Sequence, residues 1–586
     1  MLQQLGAIDA NFLYMETPET PMHVGGLYLY ELPPDYTGDY YADFKAHIRS
    51  RMHLFPIFTR KLTQLPFDID APLWVKDDEV DLDYHIRRHT VPKPGRFDQL
   101  EELVGRLHSN FLDRSRPLWE IYIIDGLADG HVAEYAKFHH AGFDGAAAMA
   151  FLQSLYDLSP IPRQVPPPTN SPDDEDTIDP VKLMGLVYSN AVRQYFRAMQ
   201  AIPDFLKAWA KLTLPDPATL KPEPAEIPHL APHTRLNVSI SSQRSYAART
   251  VSLKEIKSVA KSNGMTVNDV VLAMCSGALH HYLRERKDLP KESLTAFVPV
   301  SVRDPGNTEM NNQVLGMICS LATDVLDPVK RLQAIHESAL KAKRFTETIK
   351  SAVLNILSPW GAPFLLHGLM DMLGHYHLAD RTRPLANLTV SNNIGPPVPL
   401  YLAGAKMVAS YPMSIPTHGS ALNITVQSYC DNLDIGLTAC RHTLPDVRQL
   451  GDYIVSAFEE LKAAALNRAI SKEATDTAEA ATPSAKRAKG KRVAAKAAGA
   501  KTARKRSTKS APAAKPKAPH LLTAKNNPVD NDPNRAKIEP QHGAAAANAL
   551  SEHADTTPAS SGTEAAVHSG TESSGRGKQT ARRHNE

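Results

Sequence analysis

Cysteine is scarce in this chain: there are four, Cys275, Cys319, Cys430 and Cys440. No two make a CxxC pair and none has metal-site spacing, which argues against a disulfide framework and against a zinc module. Cys275 and Cys319 sit in apolar runs and read as small core residues. Long apolar runs are absent as well. No stretch of about 18 apolar residues occurs, so no segment reads as a membrane span. The first residues, MLQQLGAIDANFLYM, have neither the basic start nor the apolar stretch of a secretory leader. A reducing cytosol is the expected compartment. Two chemical signatures are also missing. There is no GxSxG nucleophile elbow, so a serine acyl-enzyme is not expected. There is no glycine-rich phosphate loop, so any phosphate must be held by scattered basic side chains.

What is present fits a chain of several domains. At 586 residues it is too long for one compact core, and two or three domains are expected. Composition is ordinary for a globular protein, with 42% apolar and 22% charged residues. The net charge of +3 hides an asymmetry, because about a third of all Lys and Arg lie after residue 470. The stretch Lys486–Lys517 has 13 basic residues and no acidic one, set among Ala, Gly, Ser, Thr and Pro. It lacks the apolar content to offset the entropy of folding, so 471–586 reads as a disordered tail. Without aromatics it offers no stacking platform for single-stranded nucleic acid. Three roles stay open for it: a solvated solubility tail, contact with anionic membrane, or nucleic-acid contact by charge alone.

Ahead of the tail, three zones differ in texture. Residues 1–160 alternate strand-like segments (Gly26–Leu32, Glu120–Leu127, Val132–Phe138) with helix-like ones (Phe97–Leu112, Gly145–Leu158). Residues 161–235 carry two proline-rich linkers flanking a helical stretch, about 180–214. That helix either packs on the domains or serves as a lid or membrane contact. Residues 236–470 return to the first texture. Helices are expected at Leu253–Gly264, Thr266–Lys287, Pro328–Ser351 and Pro445–Leu466. Strands are expected at Leu294–Val302, Ala386–Val390 and Leu422–Ser428. The fold class is therefore α/β with mixed sheets, in two halves joined by a long crossover.

The chemistry concentrates where Val132–Phe138 ends. A strand runs into His139-His140, an Ala-Gly-Phe-Asp-Gly turn follows, and an alanine-rich helix begins. Imidazole titrates near neutrality, so a histidine at a strand mouth can take a hydroxyl proton as general base. Successive strand side chains point to opposite faces, so one of His139 and His140 faces the site. Asp144 lies across the turn, with Gly145 permitting its backbone path.

His139–Gly145 also matches HHxxxDG, the motif of the CoA-dependent acyltransferase superfamily. That group includes chloramphenicol acetyltransferase, carnitine acyltransferases and peptide-synthetase condensation domains. Further segments narrow the resemblance. Ile8–Leu13, Pro21–Gly26 and Leu107–Glu120 precede the motif; Thr266–Ala273, Val298–Arg303 and Val390–Pro396 follow it. In that order, over about residues 1–465, the chain resembles the bacterial wax ester synthase/diacylglycerol acyltransferase family.

The resemblance implies two chloramphenicol-acetyltransferase-like halves with the active-site channel between them. It implies His140 as the base, with His139 and Gly145 shaping the turn. Asp144 would hold the loop by pairing with an arginine, for which Arg303 is the candidate. Asn268 would bind the developing oxyanion or orient substrate; its other reading is a helix-capping residue. Trp119 reads first as core and second as a substrate contact. His23 reads as structural or tunnel-lining. Ser391-Asn392 and Gly395-Pro396 read as a turn at the mouth of the second half's sheet. The substrates implied are acyl-CoA and a diacylglycerol or long-chain alcohol, giving triacylglycerol or wax ester. No metal or organic cofactor is implied. Such substrates imply a cytoplasmic enzyme peripheral to the inner face of the plasma membrane and to lipid droplets. Two rivals remain: a condensation enzyme using carrier-protein thioesters, and a non-catalytic lipid-surface or nucleic-acid tether working through the tail.

Overall fold

The computed structural model describes residues 3–63, 72–143, 145–167, 230–301, 314–357, 368, 370 and 372–480. Every described residue lies within Met1–Ala488. Asp144, Arg303, the helix expected over 180–214 and the basic stretch 486–517 lie outside the described residues. No described helix is long and apolar enough to cross a membrane.

The first half runs β1 (Gln3–Gln4), α1 (Ala7–Met15), β2 (His23–Glu31), α2 (Tyr40–Arg51), β3 (Arg60–Thr63), β4 (Leu73–Lys76), α3 (Leu82–His85), β5 (Ile86–Thr90), α4 (Phe97–His108), β6 (Trp119–Asp125), β7 (Val132–His139) and α5 (Gly145–Leu155). The second runs β8 (Arg244–Ser252), α6 (Leu253–Asn263), α7 (Val267–Glu285), β9 (Thr295–Ser301), β10 (Val314–Ser320), α8 (Pro328–Leu357), β11 (Leu388–Asn393), β12 (Tyr401–Leu402), β13 (Ala405–Met413), β14 (Leu422–Tyr429), β15 (Asn432–Cys440) and α9 (Val447–Ala480).

Two six-stranded sheets result, ordered β12-β13-β2-β7-β6-β5 and β10-β9-β11-β14-β15-β8, beside a small sheet β1-β4-β3. Both large sheets mix parallel and antiparallel pairs, as the α/β reading expects. They share a topology as well. In each, a β-hairpin (β6–β7 or β14–β15) pairs antiparallel through its second strand with β2 or β8, and a helix follows. His139 pairs with His23 in one sheet, and Cys440 with Arg244 at the corresponding corner of the other. The two halves are thus one architecture used twice, although their sequences show no repeat.

The layers follow from where apolar side chains fall. Phe44 and Ile48 of α2 and Phe151 and Leu155 of α5 cover one face of the first sheet. Leu100, Val104 and Leu107 of α4, spaced for one helix face, fill the other. That core also takes in Tyr246 and Ala248 of β8, so α4 lies between the sheets. Helices α6 to α9 cover the far face of the second sheet in the largest apolar cluster. All four cysteines are free, and Cys275 and Cys319 are buried in that cluster as expected.

Three features differ from the sequence reading. First, β12 and β13 lie within the second half's stretch of sequence but complete the first half's sheet, with β13 antiparallel to β2. β13 also runs close over β15: a Cβ on Gly436 would stand 1.8 Å from the Pro412 carbonyl oxygen. Second, Ser391 and Asn392 continue strand β11 beside Thr425 and Val426 rather than turning, because the parallel pairing runs on to Asn393. Third, the last helix extends to Ala480, past the tail boundary at 470 drawn from composition. Alanine and glutamate are good helix formers, so low apolar content there does not prevent a helix extension.

Candidate active site

β7 is buried along its whole length. A strand covered on both faces must find partners for the polar side chains it carries. Lys137 is fully buried, 3.0 Å from a Glu120 carboxylate oxygen, and donates to the Asn110 carbonyl oxygen at 2.9 Å. Burial lowers its pKa, and Glu120 opposes that. Tyr135, on the same face, is bonded to His108 Nδ1 at 2.7 Å. His23, opposite His139, donates from Nε2 to the His108 carbonyl oxygen at 2.8 Å. His23 therefore has the structural role read for it. Trp119 has no exposed surface: its indole donates to Phe58 O at 3.3 Å and its ring stacks on His85 at 4.3 Å. It is core.

His139 is wholly buried, and its tautomer follows from its partners. The Ala141 N–H donates to His139 Nδ1 at 3.1 Å. An amide can only donate, so Nδ1 carries the lone pair and the proton of the neutral ring sits on Nε2. Nε2 faces Glu16 Oε1 at 3.4 Å, a contact slightly longer than a formed hydrogen bond. Glu16 is itself buried. Its Oε1 accepts from the Met22 N–H at 2.9 Å, and its Oε2 accepts from Arg114 Nε and Nη2 at 3.0 and 2.6 Å. Burial alone would raise the Glu16 pKa. The His139 contact, the Arg114 charge and the Met22 N–H outweigh it and bring the carboxyl down to about 2.

His140 takes the first position beyond β7. Its backbone N–H donates to Met22 O at 2.9 Å. Its ring lies flat on Phe12 of α1, with centroids 4.0 Å apart and planes 2° off parallel. Around the turn, Leu5, Leu13, Leu62, Leu118 and Ala141 form a small apolar cluster with Phe12 and Trp74. Burial lowers the His140 pKa to about 4, with neighbouring His139 contributing. The ring is therefore neutral at physiological pH and able to accept a proton. Gly145 opens α5 directly after the turn.

The second half reaches this corner through Arg244. Its guanidinium donates to the Glu19 carbonyl oxygen at 2.5 Å, and its backbone N–H to Ser109 Oγ at 2.9 Å. Asn268 stands half-buried at the second position of α7. The capping bonds there belong to its neighbours: Thr266 and Asp269 form the box, and Asp269 also bonds His336 Nδ1 at 2.8 Å. No hydrogen bond among the described residues joins Asn268 to the histidine turn. The structure thus brings His139 and His140 together with Glu16, Arg114, Met22 and Phe12. Sequence reasoning missed the roles of Glu16, Arg114 and Phe12. Phe12 and Arg114 lie inside segments that carried the resemblance, whereas Glu16 stands in a polar turn with nothing to mark it as buried.

The arrangement is a neutral, half-buried imidazole on an aromatic shelf, backed by a buried carboxylate–arginine pair. Comparison with known proteins identifies the family of the chain. The model of the wax ester synthase/diacylglycerol acyltransferase catalytic domain matches residues 5–271, and that of the family's C-terminal domain matches residues 310–462. A putative diacylglycerol O-acyltransferase of Mycobacterium bovis is 36% identical over 458 residues, covering 78% of this chain and 98% of that protein. The chain belongs to the wax ester synthase/diacylglycerol acyltransferase family. The O-acyltransferase WSD of Acinetobacter baylyi is 34% identical, with 77% of this chain and 94% of that one covered. Among solved structures, the family enzyme of Marinobacter aquaeolei is 32% identical. It matches 79% of this chain and 100% of its own length with a TM-score of 0.58. The fold of two chloramphenicol-acetyltransferase-like halves, expected from the sequence, is the fold of this family member. The chain is an acyltransferase of lipid synthesis.

Proposed function

We propose that this acyltransferase esterifies a diacylglycerol or a long-chain alcohol with acyl-CoA by direct transfer, with His140 as general base. The observation that carries the reading is the His140 ring, held neutral on Phe12 where the buried strand β7 ends. The acceptor hydroxyl gives its proton to the imidazole while its oxygen attacks the thioester carbonyl. The tetrahedral intermediate expels the CoA thiolate, which takes the proton back from the imidazolium. Ester and free CoA leave, and no acyl-enzyme forms. Asn268 serves the oxyanion or orients substrate. Asp144, paired with Arg303, and Gly145 hold the turn. Acyl-CoA is substrate in this scheme, and no cofactor takes part. Apolar acceptors place the enzyme at the inner face of the membrane or at lipid droplets, as a peripheral protein.

The test is CoA release from palmitoyl-CoA by the purified protein, offered diolein or hexadecanol, beside His140→Ala. Removing a general base should cost about 10²–10⁴ in rate. Acceptor-dependent release that collapses in the variant supports the reading, and the better acceptor names the preferred alcohol. Equal release by both proteins would remove His140 from the mechanism.

A further inference from the structure

Two backbone arms hold His140, and Glu16 grips both. One arm is Met22. Its carbonyl oxygen accepts from the His140 N–H at 2.9 Å, while its own N–H donates to Glu16 Oε1 at 2.9 Å. The other is His139. Its Nδ1 accepts from the Ala141 N–H at 3.1 Å, and its Nε2 faces the same Oε1 at 3.4 Å. One carboxylate oxygen thus controls the residue that hydrogen-bonds the backbone of His140 and the ring that pins the residue after it. The second oxygen is taken by Arg114 through two donors, and Arg114 Nη2 also binds the Leu13 carbonyl oxygen at 2.9 Å, beside Phe12. The shelf under the His140 ring and the clamp on its backbone therefore share one anchor. Glu16 is a buried carboxylate whose side-chain neighbours are the two cations or potential cations of this network. A purely stabilising ion pair would not need to converge on the two peptide groups flanking one side chain.

We infer that Glu16, fixed by Arg114, is a positioning residue for the reaction: it holds His139 as the Nε2-protonated tautomer and, through His139 and Met22, sets where the His140 ring stands. This rests on His140 being the general base. Glu16 touches neither substrate nor reacting atoms. Its part resembles that of a triad carboxylate in fixing a tautomer and an orientation, but it works one residue away from the base.

Glu16→Gln is the sharpest change. The amide keeps nearly the shape of the carboxylate but has one acceptor oxygen, so it can serve either Met22 and His139 or Arg114, and its NH₂ opposes the donors on the other side. A shift of the base by about 1 Å costs about 10²-fold in rate. The measurement is kcat and KM for wild type, Glu16→Gln, His140→Ala and the double variant, with palmitoyl-CoA and the better acceptor. We expect Glu16→Gln to lose about 10²-fold in kcat with both KM values within about twofold, and to lose nothing further in the His140→Ala background. Equal losses from Glu16→Gln with His140 present and absent would overturn the inference, because the carboxylate would then act on the fold and not through the base. A wild-type kcat for Glu16→Gln would overturn it as well. Arg114→Ala loosens the same anchor from its more exposed end, and it should give the same kcat loss and the same lack of additivity if the buried substitution does not fold. Full activity of His140→Ala would sink the general-base reading itself; loss in His140→Ala with none in Glu16→Gln or Arg114→Ala sinks only the positioning role.

Discussion

At the scale of single residues, the site depends on a half-buried histidine shielded by an aromatic ring. Burial is the main cause that lowers the His140 pKa to about 4, and Phe12 is the aromatic surface lying on the ring. Replacing Phe12 by Ala should admit water and return the pKa toward the ordinary value near 6.5. The active form is the neutral imidazole, so activity is lost as pH falls through the folded pKa. Wild-type kcat/KM should therefore stay level from about pH 8 down to about pH 5, whereas Phe12→Ala should already be falling at about pH 6. A pH profile taken with a soluble short-chain acceptor reads this directly. Matching profiles in both proteins would mean that Phe12 shapes the pocket without setting the protonation of the base.

Between secondary-structure elements, the decisive contact is the passage of β13 over β15 on its way into the other half's sheet. Ser410 N–H donates to Asp434 at 2.8 Å and Thr250 Oγ1 donates to the same carboxylate at 2.7 Å, so this crossing is hydrogen-bonded as well as packed. A methyl group on Gly436 would collide with the Pro412 carbonyl, a backbone atom with no rotamer to relieve it. Gly436→Ala should cost about 1–3 kcal/mol, the range for overpacking, measured as a lower urea midpoint. A midpoint equal to wild type would show that β13 can lift off β15 freely. This crossing also marks how far the sequence could be read. α4 and β7 were legible because one carries a 3.6-residue apolar period and the other an alternating, strand-like pattern. The histidine turn was legible because its residue types and spacing are chemically specific. β13 was not legible: its partner β2 lies nearly four hundred residues earlier, and pairing at that range leaves no mark in local periodicity. Glu16 was hidden for a related reason. Charge in a polar turn reads as solvated, and only tertiary packing encloses it against Arg114 and His139.

For the molecule as a whole, the buried ionisable groups pull stability in opposite directions with pH. His23, His47, His85, His108 and His280 are buried, and burial lowers the pKa of each, that of His108 to about 3. A histidine with a depressed pKa contributes stability above its unfolded value near 6.5 and loses it as pH falls, because the unfolded chain binds the proton first. Glu134 and Asp434 oppose this, since burial raises them to about 7 and about 6. Their contribution is present below the unfolded carboxylate value and is lost as pH rises through the folded one. Between about pH 7 and pH 5 the unfolded chain gains a proton at each of the five histidines, while the folded protein gains them mainly at the two carboxyls. The histidines prevail in number, so the melting temperature should fall across that window. Glu134→Gln separates the two contributions. Glu134 accepts from Tyr30 Oη at 2.6 Å, and the amide can accept the same bond without ever ionising. The variant is thereby spared the loss that wild type suffers as pH rises. Its melting temperature relative to wild type should be more favourable at about pH 8 than at about pH 5.5, and its own fall on acidification should be steeper. A difference that stays constant with pH would show that Glu134 keeps one protonation state throughout, and that the tyrosines around it hold a permanent charge.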